Sequence, residues 1–201
     1  MKKVIGIVMF VVLIGLMSAC DSVGNEKSDY ISEADLDERE EMILTTVADQ
    51  SFVFDYNNTS YEEVSVWIEK YESGEMVNDE LGYMTTDIDE QGSIIFATAI
   101  DEEPHEKETF YLGVGDENGT SSSTPSDEAA LTSENMSIVS GSFTEEIAID
   151  KDETVLASIA YSNDEHGVSS ISSDFYENPE NNLEELEEYD VVYLFKIAFD
   201  D

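Results

Sequence analysis

A chain of 201 residues is long enough for one domain or at most two small ones. Its 48 acidic side chains against 8 basic ones give a formal charge of -40, which excludes nucleic acid and other acidic polymers as partners, because phosphate backbones are held by clustered Lys and Arg. With 1 Cys, an internal disulfide and a Cys-rich zinc site are excluded as well, so the fold must be held by packing.

At the N-terminus, Lys2 and Lys3 precede an uninterrupted apolar or Gly run from Val4 to Met17, followed by Ser18, Ala19 and Cys20. That order of charged, apolar and small residues is the layout of a secretory signal peptide. As a helix the run would reach about 21 Å, short of the roughly 30 Å hydrocarbon core, so it reads as an export signal and not as a permanent span. The residues "MSAC" at 17–20 resemble the lipobox of bacterial lipoproteins, with Met17 where that motif usually carries Leu and Leu16 one residue earlier. The resemblance implies that residues 1–19 are removed, that Cys20 is diacylated and becomes the first residue, and that the protein is tethered to the outer face of a bacterial membrane. Two acyl chains suffice for stable anchoring. The plainer alternative is an ordinary signal peptide cut near Ala19, with Cys20 left as a free thiol.

Loss of residues 1–19 removes two lysines and no acid, leaving 6 basic against 48 acidic residues. Such a body should stand off from anionic head groups. Residues 20–45, rich in Asp, Glu and Ser, are expected to bridge that gap as an acidic tether. Within them "SEAD" at Ser32 to Asp35 offers a capping-box-like helix start, but the apolar spacing behind it follows no clean helical period.

From Gln50 onward the chain alternates as strands do. "SFVFDY" puts Phe52, Phe54 and Tyr56 on one face, and "EVSVWIEKY" puts Val64, Val66 and Ile68 opposite Ser65, Trp67, Glu69 and Tyr71. Gly74 in "ESGE" supplies a turn, so residues 62–82 predict a hairpin. Further strands are expected over Ser93 to Ile100, Glu108 to Val114, Met136 to Ile149 with a break or bulge near Gly141, Val155 to Tyr161 and Asp190 to Phe199. Turn formers separate them at 89–92, 116–128 and 163–167. Only residues 178–189 look helical, with Pro179 in the first turn and Leu183, Leu186 and Tyr189 spaced to share a face; one or two turns there would cap an end of the domain.

Strands with short loops and no strand-helix-strand alternation predict an all-β domain over 46–201, an antiparallel β-sandwich of immunoglobulin-like type with one short helix before the last strand; a small barrel is the alternative. The absence of alternating helices disfavours the two-lobed solute receptor of an importer. The stretches "VSVWIEKYESGEMV" and "DFYENPENNLEELEEYDVVYLFKIAF" resemble parts of small lipoproteins of Bacillus-group Gram-positive bacteria, a resemblance that covers about a third of the chain and implies a source and a location, not an activity.

Chemistry is sparse. His105 and His166 are the residues suited to act as bases near neutral pH, and both lie in polar turn sequence without a nucleophile elbow or an H-E-x-x-H pair, so no catalytic residue is assigned. A hydrolase using carboxylate pairs or His is the alternative, although so many acids make every pairing uninformative. "DIDEQG" at 87–92 begins like an EF-hand loop, with Asp87 and Asp89 as first candidates for a weakly held calcium ion, but the twelfth position is Thr98 and the flanks are not helical. Trp67, Tyr71 and Tyr111 offer an aromatic platform for a glycan or peptide if their strand faces are open, and are core if those faces are covered. No cofactor is expected. The reading is a lipid-anchored, non-enzymatic binding or accessory module of the cell envelope, with an acidic surface adapted to salt.

Overall fold

The computed structural model describes residues 29–57, 60–100, 107–127, 136–149, 153–164 and 167–201. Cys20, its preceding apolar run, His105 and His166 lie outside the described residues. The strands are β1 (Tyr30–Glu33), β2 (Ala48–Asn57), β3 (Glu63–Glu72), β4 (Glu75–Asp87), β5 (Gln91–Ala99), β6 (Glu108–Asp116), β7 (Gly119–Ser123), β8 (Ser126–Asp127), β9 (Ser137–Ser142), β10 (Ile147–Ala148), β11 (Thr154–Ser162) and β12 (Val191–Asp200).

They pair antiparallel throughout, in the expected β-sandwich. The larger sheet runs β10-β1-β2-β5-β6-β7, with β8 also on β6; the smaller runs β4-β3-β12-β11-β9. Period-two alternation decides what lies between them. Phe54 and Tyr56 of β2, Val64, Val66 and Ile68 of β3, Phe96 of β5, Phe110 of β6 and Phe195, Ile197 and Phe199 of β12 fill one buried core. Phe195 sits at its centre, with ring centroids of Phe52, Phe96 and Phe110 at 5.7, 5.1 and 6.1 Å.

The hairpin at "ESGE" forms as expected, with Ser73 (φ 50°) and Gly74 (φ 81°) as its two-residue loop. Both central residues are left-handed, the conformation that matches the twist of the flanking strands. A Cβ on Gly74 would also stand 2.6 Å from Cγ of Glu187, so the turn and the helical segment above it exclude a larger residue there.

The sequence expectations need correction at three places. The segment 20–45 is not all tether: β1 pairs with both β2 and β10, and Ile31 is 1% exposed in the core. A helix, Glu38–Val47, follows, started by an Asp37 capping box with Glu40 at its third position. No residue of that helix is buried, so it had no apolar period to display. The domain therefore begins near Tyr30, not at 46.

The break expected near Gly141 falls just after it. Gly141 pairs in register with Ser158, and the interruption falls between Ser142 and Ile147. Gly is needed at 141 because the Tyr176 hydroxyl approaches to 2.8 Å from where a Cβ would stand. The turn-rich stretch after Asp116 holds β7 and β8, strands of Ser and Thr whose alternation carries no apolar signal.

The helical region is broader than predicted, comprising Ser173–Glu177, Pro179–Asn182 and a 3₁₀ turn over Leu183–Glu188. It covers the outer face of the smaller sheet instead of capping an end. Phe175, Tyr176 and Leu186 form a second core with Tyr71 of β3, Ala160 of β11 and Val192 and Leu194 of β12. Leu183, at 41% exposed, is left out of it. Among the described residues no helix is long and apolar enough to cross a membrane.

Candidate functional site

Among the described residues, the outer face of the larger sheet has no such cover. Strand register aligns Ser32, Asp55, Ser93, Gly115 and Thr120 in one row across β1, β2, β5, β6 and β7, and Tyr30, Asn57 and Gln91 in a neighbouring row. Because Leu112 and Val114 of β6 face the core, Gly113 and Gly115 face outward. Small residues here leave an open cleft of about 1270 Å³ over the sheet. Its acids stand at Glu33 and Asp35 on one side, Asp55 in the middle, and Asp89, Glu90, Asp116 and Glu117 on the other.

Hydrogen bonds hold this acidic set in place. Ser93 Oγ donates to Asp55 Oδ1 at 2.6 Å. Asp116 closes the β6–β7 turn by accepting from the backbone N–H groups of Asn118 (2.8 Å) and Gly119 (3.2 Å), and reaches the neighbouring loop through the Asp89 N–H (3.1 Å). Asn118 Nδ2 in turn donates to Asp89 Oδ2. Two loops distant in sequence are thereby laced into one rim.

Beneath the rim, two buried polar atoms have no hydrogen-bond partner, Tyr56 Oη and Asn57 Nδ2. Their residues are 2% and 7% exposed, and both line the cleft. A buried donor without a partner costs roughly 1–3 kcal/mol; Tyr56 points with Phe54 into the inter-sheet core, whereas Asn57 lies on the outer side of β2, so its Nδ2 is the unpaired donor that the cleft offers an external partner. Burial, with the Asp116 and Asp89 charges adding to it, pushes the Tyr56 hydroxyl up to about 12, which keeps it protonated as a donor. Gly92 is fixed by the same packing: a Cβ there would collide with the Tyr56 hydroxyl and the Gly115 carbonyl.

The sequence-predicted candidates are dispersed. Asp89 is part of the rim, whereas Asp87 ends β4 opposite Glu63, is exposed and does not line the cleft. Among the described residues no three His, Cys, Asp or Glu side chains gather closely enough to hold a metal ion. Of the aromatic platform only Tyr111, at 44%, is exposed; Trp67 and Tyr71, at 5% and 4%, are core. Trp67 is packed between Tyr83, at 5.7 Å between ring centroids, and the Lys196 ammonium, 5.4 Å from its ring. Tyr71 lies under the helical cover and donates to Glu69 at 3.0 Å.

Two lysines form the remaining polar constellations. Lys196 contacts Glu69 at 2.7 Å and Glu153 at 2.6 Å on the small sheet. Lys70 contacts Asp127 at 2.7 Å and Glu72 at 2.8 Å, bridging β3 of one sheet to β8 of the other. Burial alone would lower both lysines, but their carboxylate contacts outweigh it and hold them above the ordinary lysine value. Each is thus a charged clamp, without the neutral amine that a nucleophile needs.

The central cleft residues, Asp55, Tyr56 and Asn57, follow directly on the core pattern of β2, where "FVFDYN" reads as the end of a strand. Their one sequence signal is the paired outward glycines of "GVG" on β6, which strip a sheet face of side chains. A family model described as YgaN domain matches residues 30–199. No curated protein and no solved structure matches the chain.

Proposed function

Since this chain belongs to the YgaN domain family over nearly all of its described length, we propose that the domain is a non-enzymatic binding module, held by a lipid on Cys20 at the outer face of a bacterial membrane. The observation that carries the binding part is the open acidic cleft with the buried Asn57 Nδ2 left unpaired at its base. Its polar groups are spread across several strands, whereas a hydrolytic centre needs a nucleophile, a base and an orienting group within hydrogen-bond reach of one another. The sulfur of Cys20 and the apolar run before it support the location, since two acyl chains give durable membrane affinity without a spanning helix. A Gram-positive source, of the kind suggested by the resemblance to Bacillus-group lipoproteins, fits the same reading.

The experiment is expression of the full chain and its Cys20→Ser variant in a Gram-positive host, followed by detergent-phase partitioning, fatty-acid labelling and protease treatment of intact cells. The parent chain should enter the detergent phase, take up label and be cut from outside. Cys20→Ser should lose label and leave the detergent phase; unchanged partitioning of that variant overturns the anchor.

A further inference from the structure

Resting on the reading of the cleft as a binding face, we propose that its ligand is an extended, lysine-rich peptide segment. Three features of the cleft select that chemistry together. The first is charge: the lining carries seven carboxylates and, among the described residues, no Lys, Arg or His. The second is extent. From β1 to β7 the aligned row crosses four strand spacings, about 19 Å at 4.8 Å each, which matches roughly six residues of extended peptide. Carboxylates stand beside that path on β1 and β2 and in the loops at the ends of β5 and β6, so ammonium groups along a chain can meet them in turn, while among the described residues a single metal ion has no cage.

The third feature separates a peptide from a simple polyamine. Asn57, on the outer side of β2 and 7% exposed, has an unpaired Nδ2 donor, so the base of the cleft calls for acceptor oxygens. Backbone carbonyls of a peptide supply them; an alkyl polyamine and a bare cation do not. The outward Gly113 and Gly115, with Ser32 and Ser93 nearby, let a backbone lie close to the sheet.

The test is titration of the full chain in detergent with hexalysine, with spermine and with CaCl2, at about 0.05 M and about 0.5 M NaCl. Hexalysine should bind saturably with one site and weaken by about tenfold or more at the higher salt, as exposed charge contacts are screened. Asp55→Asn and Asn57→Ser should each weaken it about fivefold, with unchanged circular dichroism, and Asn57→Ser should leave spermine binding within about twofold. Asp79→Asn, an exposed acid of β4 on the other sheet, should change hexalysine binding less than about twofold.

Equal losses for Asp79→Asn and Asp55→Asn mean diffuse charge attraction and overturn the proposal. So do spermine binding with the same Asn57 dependence, and calcium binding with one site that excludes hexalysine. Absence of saturable hexalysine binding while Cys20→Ser still relocates the protein removes the ligand and leaves the anchor; the converse pair of results removes the anchor and leaves the ligand.

Discussion

The outer faces of the two sheets differ in what finishes them. Over the smaller sheet the chain between β11 and β12 folds back as helical turns and seals Tyr71, Val192 and Leu194 beneath Phe175 and Leu186. Over the larger sheet nothing comparable among the described residues lies above Asp55, Ser93, Gly113 and Gly115, and that face is a cleft. The contrast follows from strand composition: apolar residues on both sides of a strand demand a third layer, while glycine and serine on the outer side leave that face open.

The largest effect that should distinguish interior from open face comes from truncating aromatic core. Phe195→Ala removes a fully buried ring with three aromatic neighbours and should cost about 3–5 kcal/mol, enough to unfold much of a marginal domain. Tyr111→Ala, on the open side of β6, should stay within about 0.5 kcal/mol in the same urea titration. Similar losses at both positions would mean that the open face is packed after all.

Two glycines on adjacent strands sharpen this further. Gly92 points inward, where a methyl group meets a backbone carbonyl and a buried hydroxyl, so Gly92→Ala should destabilise by about 1–3 kcal/mol. Gly113 points outward, and a Cβ there would make only an ordinary 3.8 Å contact with Cβ of Ile95. Gly113→Ala should therefore be neutral within about 0.5 kcal/mol or slightly stabilising.

Alkaline pH probes the buried hydroxyls on both sides. Burial is the first cause that raises Tyr56 and Tyr189 to about 12, and it also drives Tyr71 and Tyr193 upward. A tyrosine raised in the folded state contributes stability that is complete below the unfolded value near 10 and is lost as pH rises through the folded value. Melting temperature should accordingly fall between about pH 10 and 12, with Tyr56 one of the contributors. Tyr56→Phe should flatten that part of the profile; an unaltered profile would place the Tyr56 hydroxyl in contact with solvent.

Salt should give the smallest effect. With so few bases, most carboxylates lack an ion-pair partner, and raising NaCl from 0.01 M to 1 M shortens the Debye length from about 30 Å to about 3 Å. The domain should melt several degrees higher in molar salt, and Asp55→Asn should reduce that dependence more than Asp79→Asn if repulsion concentrates in the cleft. A melting temperature indifferent to salt would overturn the expectation of an acidic surface adapted to salt.

The covered face was legible in the sequence more fully than the open one. "TVLASIAYS" and "VVYLFKIAF" are apolar on both strand faces, so their burial follows from composition, and alternation in "SFVFDY" placed Phe54 and Tyr56 correctly. Trp67 and Tyr71 were ambiguous because period two says which side a residue takes, not whether that side is roofed. β1, β7 and β8 were hidden for a different reason: their pairing rests on backbone hydrogen bonds, which four residues of "YISE" or five of "GTSSS" make without an apolar code. The cleft escaped notice because it is assembled from five strands in register, a relation that no local window contains.

One feature of the topology bears on when the molecule can exist at all. β12 lies between β3 and β11 in the middle of the smaller sheet, pairing Glu63 with Asp200 and Val64 with Phe199. The last ten residues of the strand order are thus the central plank of half the sandwich, and Phe195 at its midpoint touches both halves of the main core. An emerging chain cannot reach the native arrangement by stages from its N-terminus; with partners this remote in sequence, closure is slow and waits for the final strand. The smaller sheet therefore closes only once β12 has been made and can slot between β3 and β11.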